Sequence, residues 1–466
     1  MTDQPASGGP AGRDGPEGSQ PGDARADGAA AAAKPLRTIG RALRHRNYRL
    51  FFAGQGISLI GTWLTRVATS WLVYRLTGSA LVLGVVGFAG QIPTFFLAPL
   101  AGVWVDRWNR HRTLVVTQVL AMIQSALLAA LAWWRPTVAG VVALSVFQAL
   151  INAFDMPARQ AFVVQMVEDR ADLPNAIALN SSMVNAARLI GPSLAGILIA
   201  LFGEGWCFAI DAASYLAVIA SLLAMRIEPR AVPPRTTRAT AELVEGLRYV
   251  VGHLSIRAVL LLLAIVSLMG MPYAVLMPIE ATQVLHGQAH TLGFLMAASG
   301  AGALAGALYL ASRTSVLGLG RVIGVSAAMF GASLVGFALS GTLWLSLLLM
   351  IPTGMGMMVQ MAASNTIVQM LVDEDKRGRV MSFFAMAFFG TVPFGSLLAG
   401  SMAQRFGAPR TIGFGGLVCL VGAALFFRAL PELRRHARPT YVRLGILPEV
   451  AAGLESASRP PVTPED

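Results

Sequence analysis

Apolar stretches of 20 or more residues recur from about residue 48 to residue 430. A helix rises 1.5 Å per residue, so about 20 apolar residues cross a hydrocarbon core roughly 30 Å thick. Inside lipid, every backbone polar group must be satisfied within the protein, which leaves helices and closed barrels as spanning structures. Barrel strands read as alternating segments of about 10 residues, much shorter than these runs. Charged residues make up 13% of the 466-residue chain and hydrophobic residues 55%. A soluble domain carries roughly 25% charge, so that alternative is excluded. The fold class is therefore all-α integral membrane.

Spans are expected near 48–74, 80–105, 113–134, 137–157, 175–202, 206–226, 256–281, 291–312, 321–340, 342–371, 380–406 and 410–430, twelve in total. Residues 1–36 are small, polar and Pro-rich and are expected to be disordered. They contain no apolar segment of the signal-peptide kind, so the first span should direct insertion. The expected divisions are a bundle at 37–226, a linker at 227–255, a second bundle at 256–432 and a tail at 433–466. The linker opens with Pro229, Pro233 and Pro234; around Leu243, Leu247 and Val251 it is patterned as an amphipathic helix for the membrane surface.

The net charge of +12 is explained by its placement. If the N-terminus is cytoplasmic, the inner segments hold 27 Lys and Arg, whereas the outer connections hold four: Arg75, Arg135, Arg405 and Arg410. By the positive-inside rule both termini face the cytoplasm. Topology thus accounts for the charge without a nucleic-acid partner. Lysine is confined to Lys34 and Lys376 against many arginines, a usage that suits a GC-rich bacterial genome and places the chain in a bacterial inner membrane. The two cysteines, Cys207 and Cys419, both fall in apolar runs, where they pack as small residues. The sequence shows no nucleotide-binding loop, metalloprotease motif or hydrolase elbow. No enzyme activity, ATP-driven pumping, cofactor or metal is expected.

An internal repeat appears at an offset of 204 residues: Leu100-Ala101-Gly102 returns as Leu304-Ala305-Gly306, Val164-Gln165-Met166 as Val368-Gln369-Met370, Asp169 as Asp373, Leu194-Ala195-Gly196 as Leu398-Ala399-Gly400, and Phe202-Gly203 as Phe406-Gly407. An offset of six spans predicts two pseudo-symmetric six-helix bundles of like orientation, with a site at their interface near the midplane and alternating access by rocking.

The loop after the second span reads Gly102-Val103-Trp104-Val105-Asp106-Arg107-Trp108-Asn109-Arg110-His111-Arg112. Over residues 40–432 the chain resembles the major facilitator superfamily, whose signature at this loop has Gly where this chain has Asn109 and a basic residue where it has His111. Span 5 carries Ala187-Arg188-Leu189-Ile190-Gly191-Pro192-Ser193-Leu194-Ala195-Gly196, similar to the antiporter motif of that superfamily. Asp155-Met156-Pro157-Ala158-Arg159-Gln160, Asn175-Ala176 and Leu179-Asn180-Ser181 are most similar to the branch of the enterobactin exporter and bacterial drug-efflux proteins. The resemblance implies a cytoplasmic latch in which Asp106 faces the start of span 11, near Arg379 to Met381, and Arg110 pairs with Asp155. The bland alternative is that these charges solvate a loop. Gly191-Pro192 removes a backbone donor and should bend span 5, for gating or for packing alone.

Polar residues within spans mark candidate function, because burying them in lipid is costly. Ser145, Gln148, Asn152, Asp155 and Arg159 recur at helical steps on span 4, as do Gln55, Ser58, Thr62, Arg66 and Thr69 on span 1 and Ser181, Asn185 and Arg188 on span 5. These stripes predict an aqueous cavity, although Ser and Thr faces also serve helix packing. Arg66 and Arg188 each need an anion, either a fixed carboxylate such as Asp211 or Glu280, or a substrate. Asp211 and Glu280 are the proton-coupling candidates. In the second half, Met357, Met361 and Phe388, among other Met and Phe residues of spans 10 and 11, offer an adaptable apolar wall or plain core. Pro272 and Pro278 should kink span 7.

The sequence therefore predicts a monomeric secondary transporter in the lipid bilayer. It would export amphipathic small molecules (drugs, siderophores or other metabolites) by proton antiport. An importer or facilitator of a small anionic nutrient and a non-transporting receptor or scaffold are the alternatives.

Overall fold

The computed structural model describes residues 40–226, 239–313 and 315–443. The predicted tails and the proline-rich start of the linker lie largely outside these residues. The helices are α1 (Arg46–Thr77), α2 (Ala80–Ala89), α3 (Ile92–Arg107), α4 (Arg110–Trp134), α5 (Val138–Met166), α6 (Leu173–Phe202), α7 (Glu204–Leu223), α8 (Ala239–Gly252), α9 (Leu254–Ile265), α10 (Tyr273–Ile279), α11 (Ala289–Ser312), α12 (Leu319–Leu339), α13 (Leu343–Leu371), α14 (Arg377–Ala385), α15 (Val392–Phe406) and α16 (Ala408–Arg443). No strand occurs among the described residues.

Eleven helices or helix pairs among the described residues are long and apolar enough to cross a membrane. They match eleven of the expected spans. The remaining one, 48–74, is α1; its 32 residues extend about 48 Å, ample for a crossing. Gln55, Thr62, Thr65, Arg66 and Thr69 lower its apolarity, which sets it apart from the eleven.

Short polar turns end one helix and start the next. Asn109, which stands where the resembled motif has Gly, caps α4 by accepting a bond from the Arg112 amide at 3.1 Å. Ser79 caps α2 by accepting from the Val82 amide at 3.4 Å. The repeat partners Gly203 and Gly407 both adopt φ +86° at the α6–α7 and α15–α16 turns, a conformation that disfavours any Cβ.

Helix α1 lies against α6 and α7, α4 against α5 and α7, and α3 against α5; α13 lies against α11 and α12, and α16 against α9 and α12. Two further seams join α6 to α11 and α2 to α15. Glycines let backbones approach in both seams. A Cβ on Gly400 would lie 2.7 Å from the Ala80 carbonyl oxygen and 2.8 Å from Gly84 Cα, and one on Gly196 would lie 2.8 Å from the Ala289 carbonyl oxygen. These approaches fall toward the end that carries the turns at 78–79, 203, 286–288 and 407, here the far end.

The near end carries the start of α1 and the α5–α6 connection. There Asp172, 1% exposed, meets Arg41 at 3.2 Å, Arg44 at 2.7 Å and His45 at 3.0 Å. Helix α8 also docks at this end. Its Glu245 carboxylate meets Lys376 at 2.6 Å and Arg379 at 2.7 Å, and Tyr249 donates to Asp373 at 3.0 Å. A membrane-surface location alone is thus too simple for this helix: the Gly246 and Val250 side is buried, whereas Val244, Leu247 and Val251 present an exposed apolar stripe. The Lys376 hydrogen bond and the Arg379 charge hold the Glu245 carboxyl below its ordinary value.

Candidate functional site

The centre of the molecule is built where α1, α6, α10, α11 and α13 pass one another. Gly191 on α6 packs on Trp63 of α1, and Gly300 on α11 packs on the backbone at Arg188 and Leu189. The absence of side chains at these two glycines brings α6 close to both neighbours. Arg66 projects from α1 with its guanidinium carbon 4.7 Å from the centre of the Trp63 ring, a cation–π contact. Arg188 projects from α6, and its Nη2 lies 3.6 Å from the Met357 sulfur of α13. The two guanidinium groups lie within electrostatic reach of each other, and Tyr273 of α10 is within reach of Arg188. Tyr273 is itself hydrogen-bonded to Ser299 of α11 at 2.9 Å.

Arg66 is enclosed by the helices and yet exposed, as is Thr62 one turn before it. Exposure together with this enclosure means that its surface opens on a hollow between the helices. Among the described residues no carboxylate partners Arg66 or Arg188. A cation in such a place is costly without hydration or an anion.

The carboxylates that were possible partners sit elsewhere. Asp211 on α7 is 1% exposed and accepts from Thr65 at 2.7 Å and Ser125 at 2.7 Å, which places it between α1, α4 and α7. Its Oδ1 has no hydrogen-bond partner. Thr65 precedes Arg66 by one position, about 100° around the helix, so the acid and the cation point to different faces of α1. Glu280, 1% exposed, opens a π turn at Glu280–Val284, and its Oε1 is also unpartnered. A second π turn at Val266–Gly270 and Pro272 separate α9 from α10, which realises the kink expected of this span.

The other predicted residues divide. Asn152 is exposed and accepts from half-buried Gln148 at 3.1 Å, so the inner part of α5 presents a polar face. Gln55 is 4% exposed and Ser58 1%, so the first part of the α1 stripe is packed and only its later turns reach the hollow. Asn185 is buried too and donates to the Ser181 carbonyl at 2.9 Å. These three are corrections to the predicted cavity faces: periodicity gives a face but not what packs against it, and Asn185 satisfies its amide on its own helix. Met357 is 3% exposed beside Arg188, Met361 is half-buried, and buried Phe388 lies edge-on to Phe389 at 4.8 Å. The Phe388 carbonyl accepts a bond from Ser267.

At the near end, Asp155 is 8% exposed and accepts from Thr117 at 2.8 Å, Gln118 at 2.7 Å and Arg159 Nε at 3.1 Å. Arg110 lies half-buried in the first turn of α4. The side chains of Gly102, Asp106 and Arg107, and with them the Asp106 half of the expected latch, lie outside the described residues. Pro192 sits inside an unbroken α6, next to Gly191 against Trp63, and Gly196 lies in the seam with α11. Sequence reasoning missed Trp63 and Tyr273, which only their neighbours across helices mark. It also missed Gln360, wholly buried on α13 with neither amide atom hydrogen-bonded.

A helical membrane protein with a charged, solvent-open centre between closely seamed helices belongs to the class of major-facilitator-type transporters. Solved structures share this fold. A POT family transporter in complex with a thioalcohol-conjugated peptide aligns with a TM-score of 0.68 at 11% identity over 83% of this chain and 96% of its own. The occupied, inward-facing structure of a bacterial homologue of the lysosomal transporter Spinster aligns with a TM-score of 0.65 at 15% identity over 84% and 98%. Residues 40–458 match the transmembrane secretion effector family, and the chain belongs to that family. It is 24% identical over 383 residues to a staphyloferrin A transporter of Staphylococcus aureus, across 81% of this chain and 95% of the relative. It is 28% identical over 394 residues to the multidrug efflux pump Tap of Mycolicibacterium fortuitum, again across 81% and 95%. These relatives are transporters, not enzymes, and the chain is a multi-pass membrane transporter of a small-molecule substrate.

Proposed function

We propose that this chain exports amphipathic small molecules from a bacterial cytoplasm by alternating access, driven by proton antiport. The observation that carries the reading is the exposed Arg66 at the enclosed centre, beneath seams whose glycine approaches lie toward the far end. In this reading α1 is a twelfth crossing, residues 37–226 and 256–432 are two six-helix bundles, and both termini are cytoplasmic. The near end then carries the 27 inner basic residues, and the central hollow is closed to the exterior.

The repeat supports two like bundles. Gly196 and Gly400, 204 residues apart, each lie in one of the seams. His45 meets Asp172 before α6, and Tyr249, 204 residues after His45, meets Asp373 before α14. Export is favoured by the names of the relatives, a siderophore transporter and drug-efflux pumps. Asp211 and Glu280 are the proposed proton sites, since each is buried in a span with an unpartnered oxygen. Asp106, Arg107 and Arg110 enter as the proposed near-end latch through the resemblance of their loop.

Energised inverted vesicles from an efflux-deficient bacterium test the reading. With this chain present they should accumulate dye, macrolide or siderophore and lose part of their pH gradient when substrate is added. Accumulation without the gradient, or only in right-side-out vesicles, would refute export by antiport. The second outcome would instead favour the importer reading, which the unneutralised Arg66 and Arg188 keep open.

A further inference from the structure

The two central arginines narrow the substrate class. Each stands near the middle of a helix of about 30 residues (α1 and α6), and neither has a carboxylate partner among the described residues. They come from different helices and lie within electrostatic reach of each other, so their like charges repel unless an anion lies between or beside them. The guanidinium fork suits bidentate hydrogen bonding to a planar carboxylate or a phosphate better than any neutral group. Apolar surfaces flank both: the Trp63 ring under Arg66 and the Met357 thioether against Arg188. Tyr273, anchored by Ser299, adds a hydroxyl and a ring on a third side.

We infer that Arg66 and Arg188 together hold the anionic group, a carboxylate or a phosphate, of an amphipathic substrate whose apolar body lies against Trp63 and Met357. This deepens the export reading at the same site and rests on it for the substrate's being transported; the binding itself does not depend on direction or on proton coupling. Lipophilic cations, on this inference, are poor ligands of the centre. An anionic lipid headgroup offers the same chemistry, and the occupant inferred is the transported molecule, not lipid.

The test is calorimetric titration of the purified full chain in zwitterionic lipid nanodiscs with 2-naphthoate and with 2-naphthamide, which differ in charge but share a ring. Naphthoate should bind at least tenfold more tightly than naphthamide, and the difference should shrink as salt rises. Arg66→Gln or Arg188→Gln should weaken naphthoate at least tenfold and leave naphthamide unchanged, whereas Arg66→Lys and Arg188→Lys should fall between. Equal binding of the two probes to the wild-type chain, or no naphthoate binding at all, would overturn the inference without any variant. Unchanged naphthoate affinity in well-folded glutamine variants would do the same. Loss of naphthoate binding when phosphatidylglycerol is added to the nanodiscs would assign the site to lipid and also overturn it. If naphthoate binds as expected but vesicles show no driven efflux, the anion site stands and the export reading fails.

Discussion

Adding one methyl group at Gly400 should hold the far-end seam open. A Cβ there would lie 2.7 Å from the Ala80 carbonyl oxygen and 2.8 Å from Gly84 Cα, both backbone atoms that cannot rotate away. Overpacking of this kind costs about 1–3 kcal/mol. The clash exists only while α2 and α15 are in contact, so Gly400→Ala raises the energy of the state seen here and not of one with the seam parted. The gain in helix propensity from Gly to Ala, about 1 kcal/mol, applies to both states and cancels. The open-to-closed ratio at the far end should therefore rise about 5- to 140-fold, at 1.4 kcal/mol per tenfold. Thr62→Cys places an exposed thiol in the hollow, and the two native cysteines are buried and so silent. Its labelling by a membrane-impermeant reagent from the external side should speed up at least fivefold in Gly400→Ala. Gly87→Ala, whose Cβ meets the Ser396 side chain at 3.1 Å, should give a smaller effect. Gly341→Ala, with nothing within 4 Å, should give none. Equal labelling rates across Gly400, Gly87 and Gly341 variants that express and run as single species would refute the reasoning.

Asp211→Asn should abolish proton-driven uptake into inverted vesicles while leaving substrate counterflow within about twofold, because neutral Asn keeps the Thr65 and Ser125 contacts but carries no proton; loss of both activities would assign Asp211 to packing. Asp155→Ala removes the acceptor for Thr117, Gln118 and Arg159 and should destabilise the near end by about 3 kcal/mol, read as a lowered thermal midpoint in detergent. The Glu245 carboxyl, ordinarily at 4.5, is held lower by Lys376 and Arg379. Its contribution to docking α8 is thus full above that ordinary value and disappears as pH falls through the lower, folded value. Proteolysis within residues 239–252 by an acid-active protease should accelerate in the wild type as pH falls below the ordinary glutamate value, and Glu245→Gln should show the fast rate already above it.

Several parts of this architecture were legible in the sequence because they depend on local physics. Lipid forces each apolar run into a helix of calculable length, so eleven predicted spans appear, most ends within a few residues, although those expected to end near 157 and 430 run on to Met166 and Arg438. Arg66 and Arg188 stood out because charge in mid-span is rare and expensive. Helical periodicity puts Gln55 and Asn185 on a wet face, yet both are buried, because periodicity gives the face of a helix but not what lies opposite it. Depth in the chain alone makes Asp211 a partner for Arg66, yet Thr65 and Ser125 engage it instead.

The sequence by itself determined that this is a helical membrane protein with a 204-residue repeat and that its basic residues gather on one alternate set of connections, since burial of backbone in lipid and placement of charge act segment by segment. Tertiary structure alone decided which polar groups meet. Arg66 lies within electrostatic reach of Arg188, Asp211 is engaged instead by Thr65 and Ser125, and α8 is clamped by Lys376 and Arg379. Such meetings depend on how helices distant in the chain are rotated against one another, and glycine approaches such as Gly84 to Gly400 set those rotations through packing between residues that no local pattern links.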